Sequence, residues 1–434
     1  MSASSLYLPG ALNVYDSDKR AAELCTRMSV NGFTFDAARA AELGESLRMA
    51  ERAAQVAADT ALGRTIKRTK TGGLSTTDLE EAFFRDLGAP VFFRSALTGK
   101  PSLGIDAMRG YAASHSQELR ALALAVLDFR RARKIRSTYV EGVPVGVDGK
   151  VHPSWLNYGA ISGRFACQDP NLMNLPRKET DPTYATHDGG VRSLYTASPG
   201  HRLVIFDKKQ LEMRVAAYAS GDRAMMAACE SSDLHAANAE AIFGDMYLAC
   251  DDKTQRYALR QMAKSAGFAV CYMAEANTVY QRIIATGQAI TLRQVEAMLR
   301  KMRRGFAGYY AWQEARLLDI IRTGYVESPI LHRKRWLGHE PSPTEAANYP
   351  IQGGAADIMN GLLPELEPLI AKECYGRMVA QVHDSAVFDV PERYVARSKM
   401  LCEDLNSREQ CLSSSGEQLR VVFPIDLDES ERWH

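Results

Sequence analysis

The stretch LVIFDKKQLEMR, residues 203–214, changes its hydrophobic period at one carboxylate. Its first four residues are consecutive apolar β-formers, which is the pattern of a strand buried on both faces. After Asp207 apolar residues recur at helical spacing, at Leu211, Val215 and Tyr218. We therefore predict that a rigid strand ends at Asp207 and leads into a helix. That is a good place to hold a metal ion, although a lone acid after a strand is more often a turn former or helix cap.

A second stretch, MVAQVHDSAVFDV at residues 378–390, places another acid in a turn. Two apolar runs flank a short polar segment, which predicts a hairpin with His383 and Asp384 at its tip. Two carboxylates on adjacent strands repel each other unless cations lie between them. Oxygen ligands at that spacing suit magnesium held together with substrate phosphates. The two stretches together predict a two-metal phosphoryl-transfer site.

Length and composition indicate a globular protein. The chain has 434 residues and 46% hydrophobic content, which suggests about three domains with ample core. No run approaches the roughly 18 apolar residues of a membrane span, and the first residues lack the pattern of a secretory signal. Eight cysteines without a CxxC pair argue against a zinc site or a disulfide frame. We expect no membrane association, a cytoplasmic location and reduced thiols.

The net charge of +1 does not indicate a nucleic-acid partner, so nucleic-acid binding would depend on local basic patches. Each patch alone is more often a solvated face than a phosphate track. Four clusters occur: Arg64, Lys67, Arg68 and Lys70; Arg130, Arg131, Arg133, Lys134 and Arg136; Arg300, Lys301, Arg303 and Arg304; and Arg333, Lys334 and Arg335. The second cluster ends a long apolar segment, as in a helix that leaves a core and grips a duplex backbone.

Helical patterns dominate residues 15–140 and 223–322. Asp36 is expected to cap a helix that continues to about Leu62. The region after residue 151 has strands and polar loop. The last part predicts a helix from Ile351, the hairpin at Asp384, a helix to about Glu409, and a final strand from Leu419 to Ile425.

Four residues within the second helical region lie at successive spacings of four: Arg260, Lys264, Phe268 and Tyr272. On one helix they form a stripe of two cations followed by two aromatics. A nucleoside triphosphate has the same layout, with phosphates at one end and a stackable base at the other. His235 offers a further phosphate contact. Taken alone, the stripe slightly favours an ordinary amphipathic helix with core aromatics.

The three stretches FDKKQLEMR, RQMAKSAGFAVCY and QVHD, in this order, resemble the three catalytic motifs of family A DNA polymerases. SGRFACQDPNLMNLP resembles the loop before the first motif, and NYPIQGGAADIMN resembles the long palm helix. The resemblance covers roughly residues 20–425. It implies an α+β, right-hand architecture with an antiparallel palm sheet and helical fingers and thumb. The expected regions are residues 1–150 (thumb and N-terminal helical region), 151–222 (palm, first part), 223–345 (fingers) and 346–434 (palm, second part).

The resemblance assigns the reaction centre. Asp207 and Asp384, with the backbone carbonyl of Lys208, are expected to bind two Mg²⁺ ions. These would activate the primer 3′-hydroxyl and stabilise the leaving pyrophosphate. Arg260, Lys264 and His235 are expected to bind the dNTP phosphates, and Lys264 to protonate the leaving group.

The remaining site residues surround the nucleotide and the DNA. Phe268 is expected against the incoming sugar and base, and Tyr272 near the templating base. Gln210 and Glu212 are expected on the substrate, where Glu212 would block a ribose 2′-hydroxyl. The residues expected at the primer-template minor groove and primer end are Arg164, Asn348, Gln352 and His383.

Two alternatives remain at this point. One is a single-subunit RNA polymerase. Glu212 argues against it, because a Glu expected to block a ribose 2′-hydroxyl indicates a DNA polymerase. The other is an inactive DNA-binding scaffold, against which the retained acids and cations argue. The partners expected for the first interpretation are primer-template DNA and dNTPs.

Departures from the family pattern concern the metal site and the fingers. Lys208 and Lys209 stand where Tyr and Ser are usual, and Ser385 stands where a Glu often follows the second acid. Met273 replaces Gly, Gly267 replaces a common Asn, and Thr344 replaces a common Arg. The chain offers no room and no DxE motif for a 3′–5′ exonuclease ahead of the thumb. We expect a polymerase core, phage-like in its compactness and active in a bacterial or phage-infected cell, with any proofreading or further replication function on a separate polypeptide.

Overall fold

The computed structural model of the chain describes residues 13–95, 98–176, 183, 188–231, 233–271, 273–284, 290–340, 342–408, 410–414 and 417–434. The chain divides into two compact units. The first unit comprises Met1–Phe33, Pro153–Met173 and Ala197–Glu431. The second unit comprises Thr34–His152, Asn174–Thr196 and Arg432–His434. The thumb, palm and fingers boundaries expected from the sequence stay predictions.

The described residues form runs of consecutive helices that are separated by groups of short strands. The helices are α1 (Val14–Asn31), α2 (Ala37–Leu62), α3 (Thr76–Glu80), α4 (Ile105–Ala112), α5 (Gln117–Lys134), α6 (Leu211–Ser220), α7 (Arg223–Glu230), α8 (Leu234–Phe243), α9 (Asp245–Leu248), α10 (Lys253–Cys271), α11 (Ala276–Ile284), α12 (Leu292–Gly305), α13 (Ala307–Thr323), α14 (Pro343–Cys374) and α15 (Val395–Asn406). The strands are β1 (Phe33–Thr34), β2 (Lys150–Val151), β3 (Ser154–Leu156), β4 (Ala166–Gln168), β5 (His201–Lys208), β6 (Tyr325–Glu327), β7 (Lys334–Trp336), β8 (Arg377–Val382), β9 (Ser385–Pro391), β10 (Gln410–Ser414), β11 (Glu417–Val421) and β12 (Ile425–Ser430). None of the described helices is long and apolar enough to span a membrane.

The second unit is built on helices, as predicted. Asp36 caps α2 by accepting a hydrogen bond from the Arg39 backbone N–H at 2.9 Å, and the helix ends at Leu62 as expected. Its core is formed mainly by residues of α2 to α5, with Phe83, Tyr111 and Phe129 fully buried. This large apolar surface holds the helices together.

The basic end of α5 is partly neutralised within the second unit. A π-type turn at Ile135–Val140 extends the helix. Arg136 Nε lies 2.6 Å from Glu51 Oε1, and Arg133 Nη1 lies 3.9 Å from the same carboxylate. Glu51 is buried, so these two arginines bind an internal acid. Arg131 and Lys134 are the members of this cluster that are exposed to solvent in α5.

The first unit contains an antiparallel four-stranded sheet with the strand order β12-β5-β9-β8. This confirms the predicted strand at residues 203–207 and the hairpin with His383 and Asp384 at its tip. The apolar residues of β5 lie inside the sheet, with strands on both sides. Asp207 stands opposite Ser385 of β9 and opposite Asp426 of β12.

Two predicted boundaries in the last part of the chain are wrong. The predicted final strand at residues 419–425 is split between β11, which ends at Val421, and β12, which begins at Ile425. The helix predicted from Ile351 begins at Pro343 and includes Pro350. A proline lacks the backbone N–H that a helix interior uses, so the sequence suggested a start after it.

A large apolar core joins α6 to the helices of residues 223–322. Met213 and Ala217 of α6 share this core with Ala239 of α8, Ala263 of α10 and Ile351 of α14. The helix that follows Asp207 is therefore packed against the helix that carries Arg260 and Lys264.

Gly354 allows α14 to approach α6 closely. A Cβ atom at this position would lie 2.9 Å from Val215 Cγ1 and 3.0 Å from Pro329 Cγ. Such distances are shorter than a normal contact, so any larger side chain would push the two helices apart.

Arg333 belongs to a buried ion-pair network. Its guanidinium donates to Asp357 Oδ1 at 3.0 Å and to both carboxylate oxygens of Asp18 at 2.9 and 3.0 Å. The residue is 3% exposed. This member of the fourth basic cluster therefore ties α14 to α1 and does not face a solvent-exposed phosphate track.

Candidate active site

The backbone places the two predicted metal ligands side by side. The Lys208 backbone N–H donates to the Asp384 carbonyl at 3.0 Å. Asp384 directly precedes Ser385, which stands opposite Asp207 in the sheet. Asp207 is exposed and Asp384 is half-buried. The end of β5 and the β8–β9 turn therefore present two carboxylates at one edge of the sheet.

The turn after Asp207 and the turn that contains Asp384 each include a non-glycine residue in the left-handed region. Gln210 has a φ of 50° and His383 has a φ of 56°, a conformation that costs energy and is retained where the surroundings fix it. The Gln210 carbonyl accepts from the Arg214 backbone N–H at 3.1 Å, and Arg214 Nε donates to the Lys209 carbonyl at 3.0 Å. The Gln381 side-chain amide donates to the His383 carbonyl. The two turns are thus held by hydrogen bonds on both sides of the site.

The two additional cations after Asp207 do not point at its carboxylate. Lys208 is buried, while Asp207 on the same strand is exposed, so their side chains lie on opposite faces of the sheet. The Lys208 ammonium donates to Asn406 Oδ1 and lies 3.5 Å from the Phe423 carbonyl. Burial lowers the pKa of Lys208 to about 7. Lys209 Nζ lies 2.6 Å from Asp426 Oδ1.

Arg164 connects the predicted sugar-discriminating residue with the second acid. Its guanidinium donates to Glu212 Oε1, and its Nη2 atom lies 3.5 Å from Asp384 Oδ1. Glu212 lies in the first turn of α6, four residues after Lys208. The sequence assigned Arg164 to DNA and Glu212 to the sugar. The structure adds a direct ion pair between them.

Helices α8 and α10 bring together the predicted phosphate ligands. Arg260 and Lys264 lie on α10, and His235 lies in the first turn of α8. Burial, together with the positive charges of Lys264 and Arg260, lowers the pKa of His235 to about 4. The imidazole is therefore neutral at pH 7. These residues form a polar cluster on the α8–α10 pair.

The aromatic half of the stripe is less completely described. Phe268 belongs to α10, so the stripe from Arg260 to Phe268 does lie on one helix. The Phe268 side chain and all of Tyr272 lie outside the described residues. Their contacts to the sugar and the templating base stay predictions.

Two of the predicted DNA-contacting residues line one open cavity. Asn348 and Gln352, one turn apart on α14, face residues 159–162 and Arg335 there. Asn348 Oδ1 is buried and has no hydrogen-bond partner among the described residues, which marks it as an acceptor available to a ligand. His383 lies at the tip of the β8–β9 turn instead.

The carboxylates fit magnesium only if water or substrate completes its shell. No group of three or more His, Cys, Asp and Glu within the described ranges is arranged to hold a metal. Mg²⁺ is commonly bound by one or two carboxylates together with substrate phosphates and water. Asp207 and Asp384, with a backbone carbonyl, supply this type of donor set.

Sequence reasoning missed Asp233. Its carboxylate accepts from the His235 and Ala236 backbone N–H groups at 3.0 and 3.1 Å, and so caps α8. It also accepts from Arg260 Nε at 2.8 Å and from Arg260 Nη2 at 3.1 Å. An acid two residues before a candidate histidine ligand is a helix-start signal that the sequence did contain.

Residues 41–434 match the family model described as DNA polymerase family A. The chain is 29% identical over 331 residues to a thermostable DNA polymerase I of Thermus aquaticus, covering 73% of this chain and 37% of that protein. It is 29% identical over 330 residues to DNA polymerase I of Chloroflexus aurantiacus, covering 73% of this chain and 32% of that protein. The chain thus spans about a third of the length of these curated relatives.

A solved structure shares the fold. It is the POL domain of Pol1 from M. smegmatis in complex with DNA primer-template and dNTP. The TM-score is 0.79 at 21% sequence identity, with 96% of this chain and 70% of that chain covered. The α+β fold expected from the sequence is therefore confirmed.

Proposed function

Because the chain belongs to DNA polymerase family A, we propose that it is a template-directed DNA polymerase. It adds dNTPs to a primer 3′-hydroxyl by two-metal phosphoryl transfer. The observation that carries this proposal is the adjacency of Asp207 and Asp384 through the Lys208–Asp384 backbone hydrogen bond. The relatives are DNA polymerases, which supports deoxyribonucleotides as substrates over the RNA polymerase alternative.

The metal pair would be held by the Asp207 and Asp384 carboxylates and the Lys208 carbonyl. When bound there, Mg²⁺ supplies acidification of the primer hydroxyl and neutralisation of phosphate charge. The protein holds its acids in place through rigid backbone, because the strand end and the turn are both hydrogen-bonded on either side. This preorganisation avoids rearrangement when the charged substrate arrives.

The other residues bind and orient the nucleotide. Arg260 and Lys264 attract the triphosphate, and neutral His235 can donate one N–H to a phosphate oxygen. Lys264 is then placed to give a proton to the departing pyrophosphate. We further propose that Phe268 and Tyr272 pack on the sugar and the bases and that Gln210 borders the substrate.

Arg164 and Glu212 act at the sugar and primer side. Glu212, held by Arg164, occupies the space that a ribose 2′-hydroxyl would need. Asn348, Gln352 and His383 contact the primer end and the minor groove, where acceptors lie at nearly the same place in every base pair.

Primer-template DNA is therefore the proposed partner, while a separate exonuclease or replication protein stays a prediction. The bacterial sources of the relatives support a bacterial cytoplasm as the place of action. The phage-infected cell stays a prediction.

A primer-extension assay tests the proposal. Purified protein is given a labelled primer on templates that differ only in the next base, with Mg²⁺ and one dNTP at a time. We expect extension only with the complementary dNTP, and far less with the matching ribonucleotide. Absence of extension, or extension that ignores the template base, would refute the proposal.

A further inference from the structure

Arg260 is held in a fixed orientation by an acid that the proposed reaction does not use. Its Nε and Nη2 atoms donate to the two carboxylate oxygens of Asp233 at 2.8 and 3.1 Å. This side-on, two-bond geometry fixes the plane of the guanidinium, which a single contact does not.

Asp233 is itself held by the helix that it begins. Its Oδ1 atom accepts from the backbone N–H groups of His235 and Ala236. The positive end of α8 also favours a carboxylate at this place. Because backbone groups fix the acid, the acid can fix the arginine.

The ion pair leaves donors available for a phosphate. An arginine has five N–H donors, and two of them bind Asp233. Both Nη1 hydrogens and the second Nη2 hydrogen remain on the outer side of the guanidinium. The Arg260 side chain is 31% exposed, so part of it is reachable from solvent.

We infer that Asp233 is a positioning residue that aims Arg260 at the dNTP phosphates and thereby sets the affinity for the nucleotide. The inference rests on the proposed polymerase function. Asp233 touches no reacting atom and acts through Arg260. Without it, a long and flexible arginine side chain would lose conformational freedom when the nucleotide binds.

The test separates this role from the role of Asp233 as a helix cap. Asn is as good a helix cap as Asp, so Asp233→Asn keeps the cap and removes the charged bond to Arg260. Asp252→Asn is the matched control. Asp252 accepts from the backbone N–H groups of Thr254 and Gln255 at the start of α10, the helix that carries Arg260.

Single-nucleotide extension gives KM for the dNTP and kcat for each variant. We expect Asp233→Asn to raise KM by about threefold, the size typical of a partly exposed ion pair. We expect kcat to stay within about twofold of wild type, because only nucleotide binding is weakened. Asp252→Asn should leave both constants unchanged.

A double mutant shows whether Asp233 acts through Arg260. Arg260→Lys keeps the charge but cannot form the two-bond contact, so Asp233→Asn should add nothing in that background. An unchanged or lowered KM in Asp233→Asn would overturn the inference, and so would an equal increase in the Arg260→Lys background. If wild type extends primers but either of these two contradicting results is found, only the inference about Asp233 fails. If wild type does not extend primers, the proposed function fails as well.

Discussion

The buried Lys208 gives a prediction for the pH dependence of stability. Its ammonium lies behind the strand that carries Asp207 and donates to Asn406 Oδ1, and the residue is 3% exposed. The substitution Lys208→Met keeps most of the side-chain volume and removes the titrating group.

The lowered pKa of Lys208 determines whether the free energy of unfolding rises or falls with pH. Burial takes the pKa from 10.5 to about 7 in the folded protein. Between these two values the unfolded chain binds a proton that the folded chain does not, so the free energy of unfolding of wild type rises with pH. At up to about 1.4 kcal/mol per pH unit, the contribution of Lys208 should rise by about 2 kcal/mol between pH 7 and pH 9.

Urea unfolding of both proteins at pH 6, 7, 8 and 9 measures this contribution. Trp155, Trp312 and Trp336 lie in the first unit, so tryptophan fluorescence reports mainly on the part that holds Lys208. The free energy of unfolding of wild type minus that of Lys208→Met should increase by about 2 kcal/mol from pH 7 to pH 9 and change little below pH 7.

Lys209→Met is the matched control, because Lys209 directly follows Lys208 in the chain and is exposed to solvent. It should show no such increase over the same pH range. A wild-type minus Lys208→Met difference that stays flat, or decreases, between pH 7 and pH 9 would contradict the lowered pKa of Lys208.

Two further changes test the sugar contact and the helix packing. Glu212→Ala removes the carboxylate that Arg164 holds. It should raise ribonucleotide incorporation relative to deoxyribonucleotide incorporation by at least about tenfold, or ~1.4 kcal/mol. Unchanged sugar selectivity in primer extension would show that Glu212 does not discriminate between the sugars. Gly354→Ala places a methyl group 2.9 Å from Val215 Cγ1 and should lower the free energy of unfolding by about 1 to 3 kcal/mol. Its control is Gly305→Ala, where a Cβ meets nothing within 4 Å, and equal unfolding free energies for the two variants would contradict the packing described here.

The sequence predicted elements whose signals are local. Asp36 capping α2 and the change of period at Asp207 depend on a few neighbouring residues, and both agree with the structure. The hairpin around Asp384 also follows from adjacent apolar runs.

Elements that depend on tertiary context were missed. α14 passes through Pro350 because most of its residues are buried, and packing outweighs the missing hydrogen bond. β12, with the polar sequence IDLDES, was not predicted beyond its first residue, Ile425. It lies at the edge of the sheet, where charged residues are tolerated and prevent unwanted strand pairing.

In the candidate site, too, some features follow from local sequence and others depend on tertiary structure. Motif spacing led to Asp207, Asp384, Arg260 and Lys264. The contacts of Arg164 with Glu212 and Asp384 join residues 48 and 220 positions apart, and no local pattern encodes them. The direction of the Lys208 side chain likewise depends on which face of β5 is covered, which only the folded sheet determines.

Primer extension, and primer-template binding measured by fluorescence anisotropy, compare Asp207→Asn and Asp384→Asn with wild type. Asp428→Asn, an exposed acid of β12 in the same sheet, is the control. We predict that each of the first two variants loses at least about a hundredfold in extension rate, because a metal ligand contributes several kcal/mol to the transition state. DNA binding should be retained, since phosphate contacts elsewhere supply most of the affinity. Extension by either variant within about tenfold of wild type, a loss of less than ~1.4 kcal/mol, would contradict the assignment of Asp207 and Asp384 as the catalytic pair.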